Sequence, residues 1–242
     1  MALASILEKA VRENIQAEFN EELQYAMDEE DPEENNSDTP NYYDYWEVFP
    51  DESEILLANI PTFIEEVAQL SHVPWIPWPE DQISGGQPHD WTVFPFLHTF
   101  PALDESRSCW IGSTAAVCPK TVAILRSIPN IRTALFSKLA GKKKLNPHTG
   151  WSDLANYVLR LHVCLDIPAT ETCGLVVNGE VKYHEQGEIL VFDDSKRHLA
   201  FNTSDRDRIV LIIDLLRPID VPLGKCIGGH TAQLDGLMQK FN

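Results

Sequence analysis

The chain has few basic residues for its length, and this scarcity restricts its partners. Its 242 residues include 19 lysines and arginines against 37 aspartates and glutamates, which gives a formal net charge of −18. Nucleic acids and anionic membrane surfaces would repel a chain of this charge. We therefore expect neither of them as a partner.

Long apolar runs and paired cysteine motifs are also missing. No stretch approaches the roughly 18 apolar residues of a membrane-spanning helix, and residues 1–9 lack a basic segment followed by an apolar one. The five cysteines are an odd number and form no CxxC motif, which is typical of reduced thiols in a reducing compartment. These absences predict a cytoplasmic protein.

The length of the chain favours one substantial domain with a terminal extension. Apolar residues recur at helical spacing over 4–27, and an acidic run follows at 28–34. We interpret the acidic run as a linker or loop, with a partner-binding role as the alternative. The predicted division is a helical and acidic extension at 1–52 and a main domain at 53–242.

Three segments are candidates for a substrate wall. Residues 41–49 are rich in aromatic side chains, which either anchor the extension on the core or line a cleft; anchoring is the favoured interpretation. Residues 73–79 are rich in Trp and Pro, and residues 99–115 complete the predicted wall.

The remaining patterns predict two helices and a series of short strands. An apolar stripe predicts a helix over 54–70, with Ser53 as its N-cap and Pro61 bending or splitting it. A second predicted helix covers 119–128. Asn178-Gly179 indicates a hairpin turn between two strands, and Gln186-Gly187 indicates another turn. Strands at this spacing favour an all-β sandwich or jelly roll. The predicted strands are 91–98, 131–139, 156–167, 173–177, 181–184, 188–192, 198–202 and 208–215.

Two histidines lie at predicted strand edges. His148 lies in a turn between Pro147 and Thr149, and His198 begins a predicted strand 50 residues later. This spacing does not suit a zinc finger or a helical HExxH site, but it suits a site assembled across a β-barrel. Neutral imidazoles suit ferrous iron, which oxygenases commonly bind with two His and one carboxylate.

Two arginines lie within apolar runs, where a buried cation is costly unless it meets an anion. Arg160 is flanked by Leu159 and Leu161, and Arg208 opens the run Arg-Ile-Val-Leu-Ile-Ile. Arginine binds carboxylates in a bidentate manner, so two such arginines could hold the two ends of a dicarboxylate. The alternative is a structural ion pair with Asp or Glu.

Together, four motifs resemble those of the aspartyl/asparaginyl β-hydroxylase family, over roughly residues 90–218. The family consists of 2-oxoglutarate-dependent, non-haem iron oxygenases. The resemblance implies a mainly β fold, a double-stranded β-helix (a cupin-like jelly roll) with N-terminal helices packed outside. It also implies Fe(II), 2-oxoglutarate as cosubstrate and O2. The motifs are Pro147-His148-Thr149-Gly150, Arg160-Leu161-His162, Phe192-Asp193-Asp194-Ser195 with His198, and Arg208 ten residues later.

The resemblance also implies roles for six side chains. His148 and His198 match the two iron ligands. Arg160 and His162 match the pair that holds the cosubstrate carboxylate near the metal, whereas Ser137 and Arg208 match the pair that holds the distal carboxylate. No further catalytic residue is implied.

Three neighbouring acidic residues and one glycine refine this expectation. The family lacks a metal carboxylate, and Gly150 stands where an HxD motif would have one. Of Asp193 and Asp194, one is expected to orient His198 and the other to cap the turn. Residues 151–153 are expected to form a loop particular to this chain, from which Asp153 could reach the iron.

Three functions therefore compete. The first is hydroxylation of an Asp or Asn residue in a peptide or protein. The second is oxygenation of a small molecule by the same mechanism, which gains weight because no peptide-gripping helical-repeat domain is recognised in the chain. The third is a non-catalytic jelly roll that binds a partner, and the intact set of iron and cosubstrate residues argues against it.

Overall fold

The structure is a computed structural model that describes residues 39–241. The helix predicted at 4–27 and the acidic run at 28–34 lie outside the described residues. Within residues 39–241, no helix is both long enough and apolar enough to cross a lipid bilayer.

Short antiparallel strands dominate the described residues, and the helices are few and mostly short. The strands are β1 (Tyr42–Tyr43), β2 (Ile76–Pro77), β3 (Trp91–Thr99), β4 (Ser108–Trp110), β5 (Ile131–Leu139), β6 (Lys143–Lys144), β7 (Val158–Asp166), β8 (Cys173–Val177), β9 (Glu180–Tyr183), β10 (Ile189–Phe192), β11 (His198–Asn202) and β12 (Arg208–Leu216). The α-helices are α1 (Tyr45–Val48), α2 (Pro50–Ala68), α3 (Asp81–Ser84), α4 (Gly112–Val117), α5 (Pro119–Leu125), α6 (Ser152–Ala155) and α7 (Ala232–Met238).

The strands form two sheets. The larger has the order β1-β10-β7-β12-β5-β3-β2, with β4 paired to β3, and the smaller has the order β6-β11-β8-β9. Side chains of both sheets, among them Ile212 and Leu175, share one apolar core. Helices α2 and α5 cover the other face of the larger sheet with a second core. The predicted mainly β jelly roll with helices packed outside is therefore confirmed.

Strand alternation explains how polar residues come to lie between the sheets. In β7, Leu161 and Val163 join the core beneath the helices, whereas Cys164 joins the core between the sheets. Successive side chains of a strand point to opposite faces, so Arg160 and His162 share the inter-sheet face with Cys164. The apolar run around Arg160 is thus a strand buried on both faces.

Helix α2 differs from the prediction at its start and at its proline. It begins at Pro50 rather than after Ser53, because proline at the first position is already fixed in helical φ. Ser53 is instead buried, and its hydroxyl donates to the Tyr45 carbonyl at 3.3 Å. The helix continues through Pro61, whose ring lies on the exposed side.

Two local predictions are confirmed. The Asn178-Gly179 turn joins paired strands β8 and β9, with φ of 45° and 80° as a type I′ turn requires. The aromatic residues of 41–49 anchor this segment on the core, since β1 pairs with β10 and the side chains of Tyr42 and Phe49 are buried.

Candidate active site

The two histidines singled out in the sequence are direct neighbours. His148 and His198 form an isolated antiparallel bridge, in which each backbone N–H donates to the other's carbonyl, at 3.0 and 2.8 Å. Their ring centroids are 4.3 Å apart. The backbone pairing therefore fixes the spacing of the two imidazoles.

Both imidazoles present an unprotonated Nε2. Nδ1 of His148 lies 2.7 Å from the Asn146 carbonyl, and Nδ1 of His198 lies 2.8 Å from the Lys196 carbonyl. A carbonyl accepts only, so each Nδ1 carries the proton and each Nε2 keeps its lone pair. Burial lowers the pKa of His148 to about 3 and that of His198 to about 4, so both rings are neutral at neutral pH.

Arg160 lies between two buried carboxylates. It donates to Asp214 through Nε and Nη2, at 2.8 and 3.0 Å, and to Asp194 through Nη1, at 2.6 Å. Burial disfavours the Arg160 cation, but Asp194 and Asp214 outweigh that cost and raise its pKa. The ion-pair alternative from the sequence is thus present, and it uses three of the five guanidinium N–H groups.

Asp194 occupies the space that a side chain at residue 150 would need. A Cβ placed on Gly150 would overlap Oδ2 of Asp194 and lie 2.6 Å from Cβ of Ala155. Oδ1 of Asp194 lies 3.4 Å from Nε2 of His198, whereas Oδ2 has no hydrogen-bond partner among the described residues. The glycine is therefore required by the carboxylate beside the histidine pair.

Gly150→Ala is expected to destabilise the protein by about 1–3 kcal/mol, because the new methyl group must displace a buried carboxylate. For a chain of this length, that corresponds to a fall of several degrees in the thermal unfolding midpoint. Gly112→Ala is the matched control, because a Cβ there meets no atom within 4 Å. Equal midpoints for the two variants would contradict the packing argument.

Arg208 is a buried cation without a full set of partners. Its side chain is 1% exposed, and its Nε and Nη1 have no hydrogen-bond partner among the described residues. Burial lowers its pKa to about 10, so it is still charged at neutral pH. Buried unpaired charges are costly, which makes Arg208 a site for an anion.

Ser137 and His162 lie beside the same space. Ser137 is buried and accepts a hydrogen bond from the Trp91 indole at 3.0 Å, which leaves its own hydroxyl proton available. Nδ1 of His162 lies 3.1 Å from Nε2 of His184, a buried histidine. Burial holds the pKa of both rings well below the usual range, so both are neutral.

The pairing with His184 determines which nitrogen of His162 is protonated. Nδ1 of His184 has no hydrogen-bond partner among the described residues. Unsatisfied acceptors are tolerated in protein interiors better than orphaned N–H groups. His184 therefore carries its proton on Nε2 and donates to Nδ1 of His162, which leaves the His162 proton on Nε2, as a donor.

One cavity brings together all six predicted site residues. We call it the inner cavity; it lies between the two sheets, and side chains of both sheets line it. Its lining is Ser137, His148, Arg160, His162, His198, Arg208, Trp91, Leu145, Leu175, Phe192, Ala200 and Ile212.

The neighbouring acidic residues take separate roles. Asp193 accepts from the backbone and hydroxyl of Ser195, at 3.1 and 2.6 Å, and pairs with Arg217, so it caps the turn. Asp194 is the one beside His198. Asp153 lies in α6, with Oδ1 3.1 Å from Nε2 of His230, and it does not line the inner cavity. Residues 152–155 are helical rather than an open loop.

A larger opening adjoins the inner cavity, and sequence reasoning identified its wall only in part. Trp78 and Phe100 come from the predicted wall segments, but residues 41–49 do not line it. The sequence did not predict that β3 and the C-terminal residues from α7 to Phe241 also line this opening. His184, Asp214 and Glu80 were missed as well, because isolated polar residues outside a motif give no sequence signal.

Comparisons with known proteins show which family the chain resembles over its matched residues. The chain is 37% identical over 106 residues to an ornithine lipid ester-linked acyl 2-hydroxylase of Rhizobium tropici, covering 43% of this chain and 37% of that one. It is 30% identical over 138 residues to an aspartate beta-hydroxylase domain-containing protein 2 of Mus musculus, covering 53% and 36% respectively. The chain thus spans little more than a third of the length of these curated relatives.

One solved structure is similar to part of this chain. It is an oxidoreductase of the 2OG-Fe(II) oxygenase family from Burkholderia pseudomallei, with a TM-score of 0.48 and 14% sequence identity, covering 67% of this chain and 81% of that one. Residues 57–218 match the family model described as aspartyl/asparaginyl beta-hydroxylase, and this match covers more than half of the chain. The chain therefore belongs to the aspartyl/asparaginyl β-hydroxylase family.

Proposed function

We propose that this chain is an Fe(II)- and 2-oxoglutarate-dependent oxygenase that hydroxylates a C–H bond of its substrate. One observation carries the proposal: the buried guanidinium of Arg208, short of partners, lines the same cavity as two neutral imidazoles with free Nε2 atoms. The cavity therefore contains two nitrogen ligands for a metal and, in Arg208, a cation that can bind an anion.

The donor set fits ferrous iron with open positions. Imidazole nitrogen suits Fe(II), and His148 and His198 supply two such atoms. Within residues 39–241, no group of three or more His, Cys, Asp or Glu side chains is arranged to hold a metal. The protein would therefore supply two ligands to Fe(II), the nitrogens of His148 and His198.

The cosubstrate fits the opposite side of the cavity. Arg208 and the hydroxyl of Ser137 would hold its distal carboxylate. The Nε2–H of His162 and the remaining N–H groups of Arg160 would hold the carboxylate near the metal. The ion pairs of Arg160 with Asp194 and Asp214 fix the orientation of its guanidinium.

In the reaction, iron and 2-oxoglutarate supply an oxidative decarboxylation by O2, which gives succinate and CO2 and places one oxygen atom in a C–H bond. The protein contributes position and electrostatics. His148 and His198 would bind the metal through Nε2, while the carbonyls at Nδ1 hold the two rings in place. Asp194 places a carboxylate beside His198, and its Oδ2 is available as an acceptor.

Anaerobic titration tests the proposal. The Fe(II)-loaded protein is titrated with 2-oxoglutarate in the absence of O2 and followed by visible absorption. A weak charge-transfer band that saturates with 2-oxoglutarate is the expected result. Failure of Fe(II) to bind would contradict the proposal and would favour a non-catalytic jelly-roll binding protein.

His184→Phe is expected to weaken 2-oxoglutarate binding roughly tenfold or more while kcat changes less, because His162 loses the donor that fixes its tautomer. The measurement is KM and kcat for 2-oxoglutarate, with thermal unfolding as the check of the fold. His184→Gln retains an N–H donor and should recover part of the affinity. If both variants bind as tightly as wild type, His184 does not position His162.

We also propose a small molecule or a peptide as the substrate, and neither nucleic acid nor membrane as a partner, on the strength of the net charge of −18. A reducing compartment such as the cytoplasm suits the five cysteines, none of which forms a disulfide.

A further inference from the structure

A second, larger cavity adjoins the inner one. We call it the apolar channel; His148, Arg160, Trp91 and Ile212 line both cavities. Away from that shared end, its lining is mostly apolar, including Val93, Leu97, Phe100, Ile111, Leu237 and Phe241. An occupant that reaches the histidines through this channel therefore passes along hydrocarbon and aromatic surface.

Strand β3 lines a long part of the channel. Trp91, Val93 and Leu97 all face it, and six residues of strand at about 3.3 Å each span about 20 Å. The indole of Trp91 donates to Ser137, which places this end of the strand at the inner cavity. The apolar wall is therefore long enough to lie along an extended hydrocarbon tail rather than a single small group.

The buried carboxylate of Glu80 connects two tryptophans of the channel lining with the C-terminal helix α7. Glu80 accepts from the indoles of Trp78 and Trp151, at 3.2 and 3.4 Å, and from the hydroxyl of Thr231 at 2.9 Å. Trp78 stacks on Trp91 with ring centroids 4.4 Å apart. Thr231 caps α7, the helix that contributes Leu237, so three distant segments are fixed as one wall.

The channel meets a more polar cleft. His98, Phe100 and Met238 line both spaces, and the cleft adds the side chains of Ser106, Arg107 and Ser108. The two spaces together thus offer an apolar path with a polar, positively charged end. That combination suits a molecule with a hydrocarbon tail and a polar head.

We propose that the substrate is an amphiphile whose linear hydrocarbon tail lies in the apolar channel, with its polar group toward Arg107. The inference rests on the proposed function, in which O2 and 2-oxoglutarate convert one C–H bond of the tail into C–OH and yield succinate and CO2. An Asp or Asn side chain would have to leave water for a lining that offers it few partners, which is costly. A hydrocarbon tail gains free energy in the same place.

The test measures binding of the tail without turnover. A brominated lauroylglycine is added to the iron-free protein, and quenching of tryptophan fluorescence is followed, since Trp78, Trp91 and Trp151 line the channel. A brominated hexanoylglycine serves as the short-chain comparison. We expect saturable quenching by the lauroyl probe and much weaker binding of the hexanoyl probe. No saturable quenching up to the solubility limit of the probe would overturn the inference.

Two variants make the result specific. Leu237→Asp places a charge in the channel wall and is expected to weaken lauroyl binding about tenfold or more. Gln239→Asp adds the same charge on the exposed side of the same segment and should bind as wild type does. Equal binding by the two variants would overturn the inference, because the tail would then lie elsewhere.

A turnover assay separates this inference from the proposed function. Succinate formation is measured with lauroylglycine and with an aspartate-containing peptide. Succinate with the peptide alone would overturn the assignment of the tail to the channel and leave the oxygenase function standing. Saturable tail binding with no 2-oxoglutarate binding would overturn the oxygenase function and leave the tail site standing.

Discussion

His198→Ala lowers the affinity for Fe(II) at least about 100-fold and abolishes 2-oxoglutarate-dependent turnover; this is the largest effect that we expect from a single substitution. The loss of an outer partner of a metal ligand already costs about 10–100-fold. Here one of two protein ligands is removed, and no third group in residues 39–241 is arranged to replace it. The measurements are Fe(II) binding by equilibrium dialysis and succinate formation.

His89→Ala is the control for this experiment, because His89 is exposed and lies outside both cavities. It should bind iron and turn over as wild type does. Thermal unfolding of the metal-free His198→Ala protein shows whether the fold is retained. Normal turnover by a folded His198→Ala protein would contradict the assignment of the histidine pair.

Arg208→Ala should weaken 2-oxoglutarate binding by about 2–5 kcal/mol, which is the usual cost of removing one member of a buried charge pair. At about 1.4 kcal/mol per factor of ten, the dissociation constant rises roughly 30-fold to several thousand-fold. The cause is the loss of a fully buried cation in the inner cavity. Titration calorimetry or the absorption titration measures the change.

A second measurement separates binding from stability. Without cosubstrate, Arg208 is a buried cation with unpaired donors, so its removal relieves a desolvation cost. Arg208→Met, which retains much of the volume, should therefore unfold at the wild-type temperature or above it when 2-oxoglutarate is absent. Arg206→Ala is the control, since Arg206 is largely exposed and pairs with Asp166. Tight 2-oxoglutarate binding by Arg208→Met would refute the anion site.

The strands could be predicted because their signal is local. Alternation and turn residues predict 131–139, 173–177 and 198–202 with the bounds that the structure has. The start of α2 could not be predicted. Ser53 has the chemistry of an N-cap, but its side chain is buried in the core and the helix begins at Pro50. Helix propensity describes a residue in isolation, whereas its packing depends on the side chains that surround it in the folded protein.

The grouping of the site residues followed from motifs, and their chemical roles stay predictions. Six residues named from the sequence line one cavity, since strand alternation and the His148–His198 bridge carry them to the same face. His184 could not be found, because it follows an exposed hairpin strand and belongs to no motif. Glu80 and Thr231 are 151 residues apart in the sequence and form a hydrogen bond only in the folded chain. No local sequence pattern predicts such a contact.

The shared space of Gly150 and Asp194 also constrains how this protein can change by mutation. A carboxylate at 150 and one at 194 compete for one volume, so Gly150→Asp alone would introduce a clash. Asp194→Gly alone would remove a partner of Arg160 and leave the space beside the histidines empty. A lineage moving from this arrangement to a His-x-Asp ligand set would have to alter both positions together. The carboxylate beside the histidines can therefore come from residue 194 or from residue 150, but not from both.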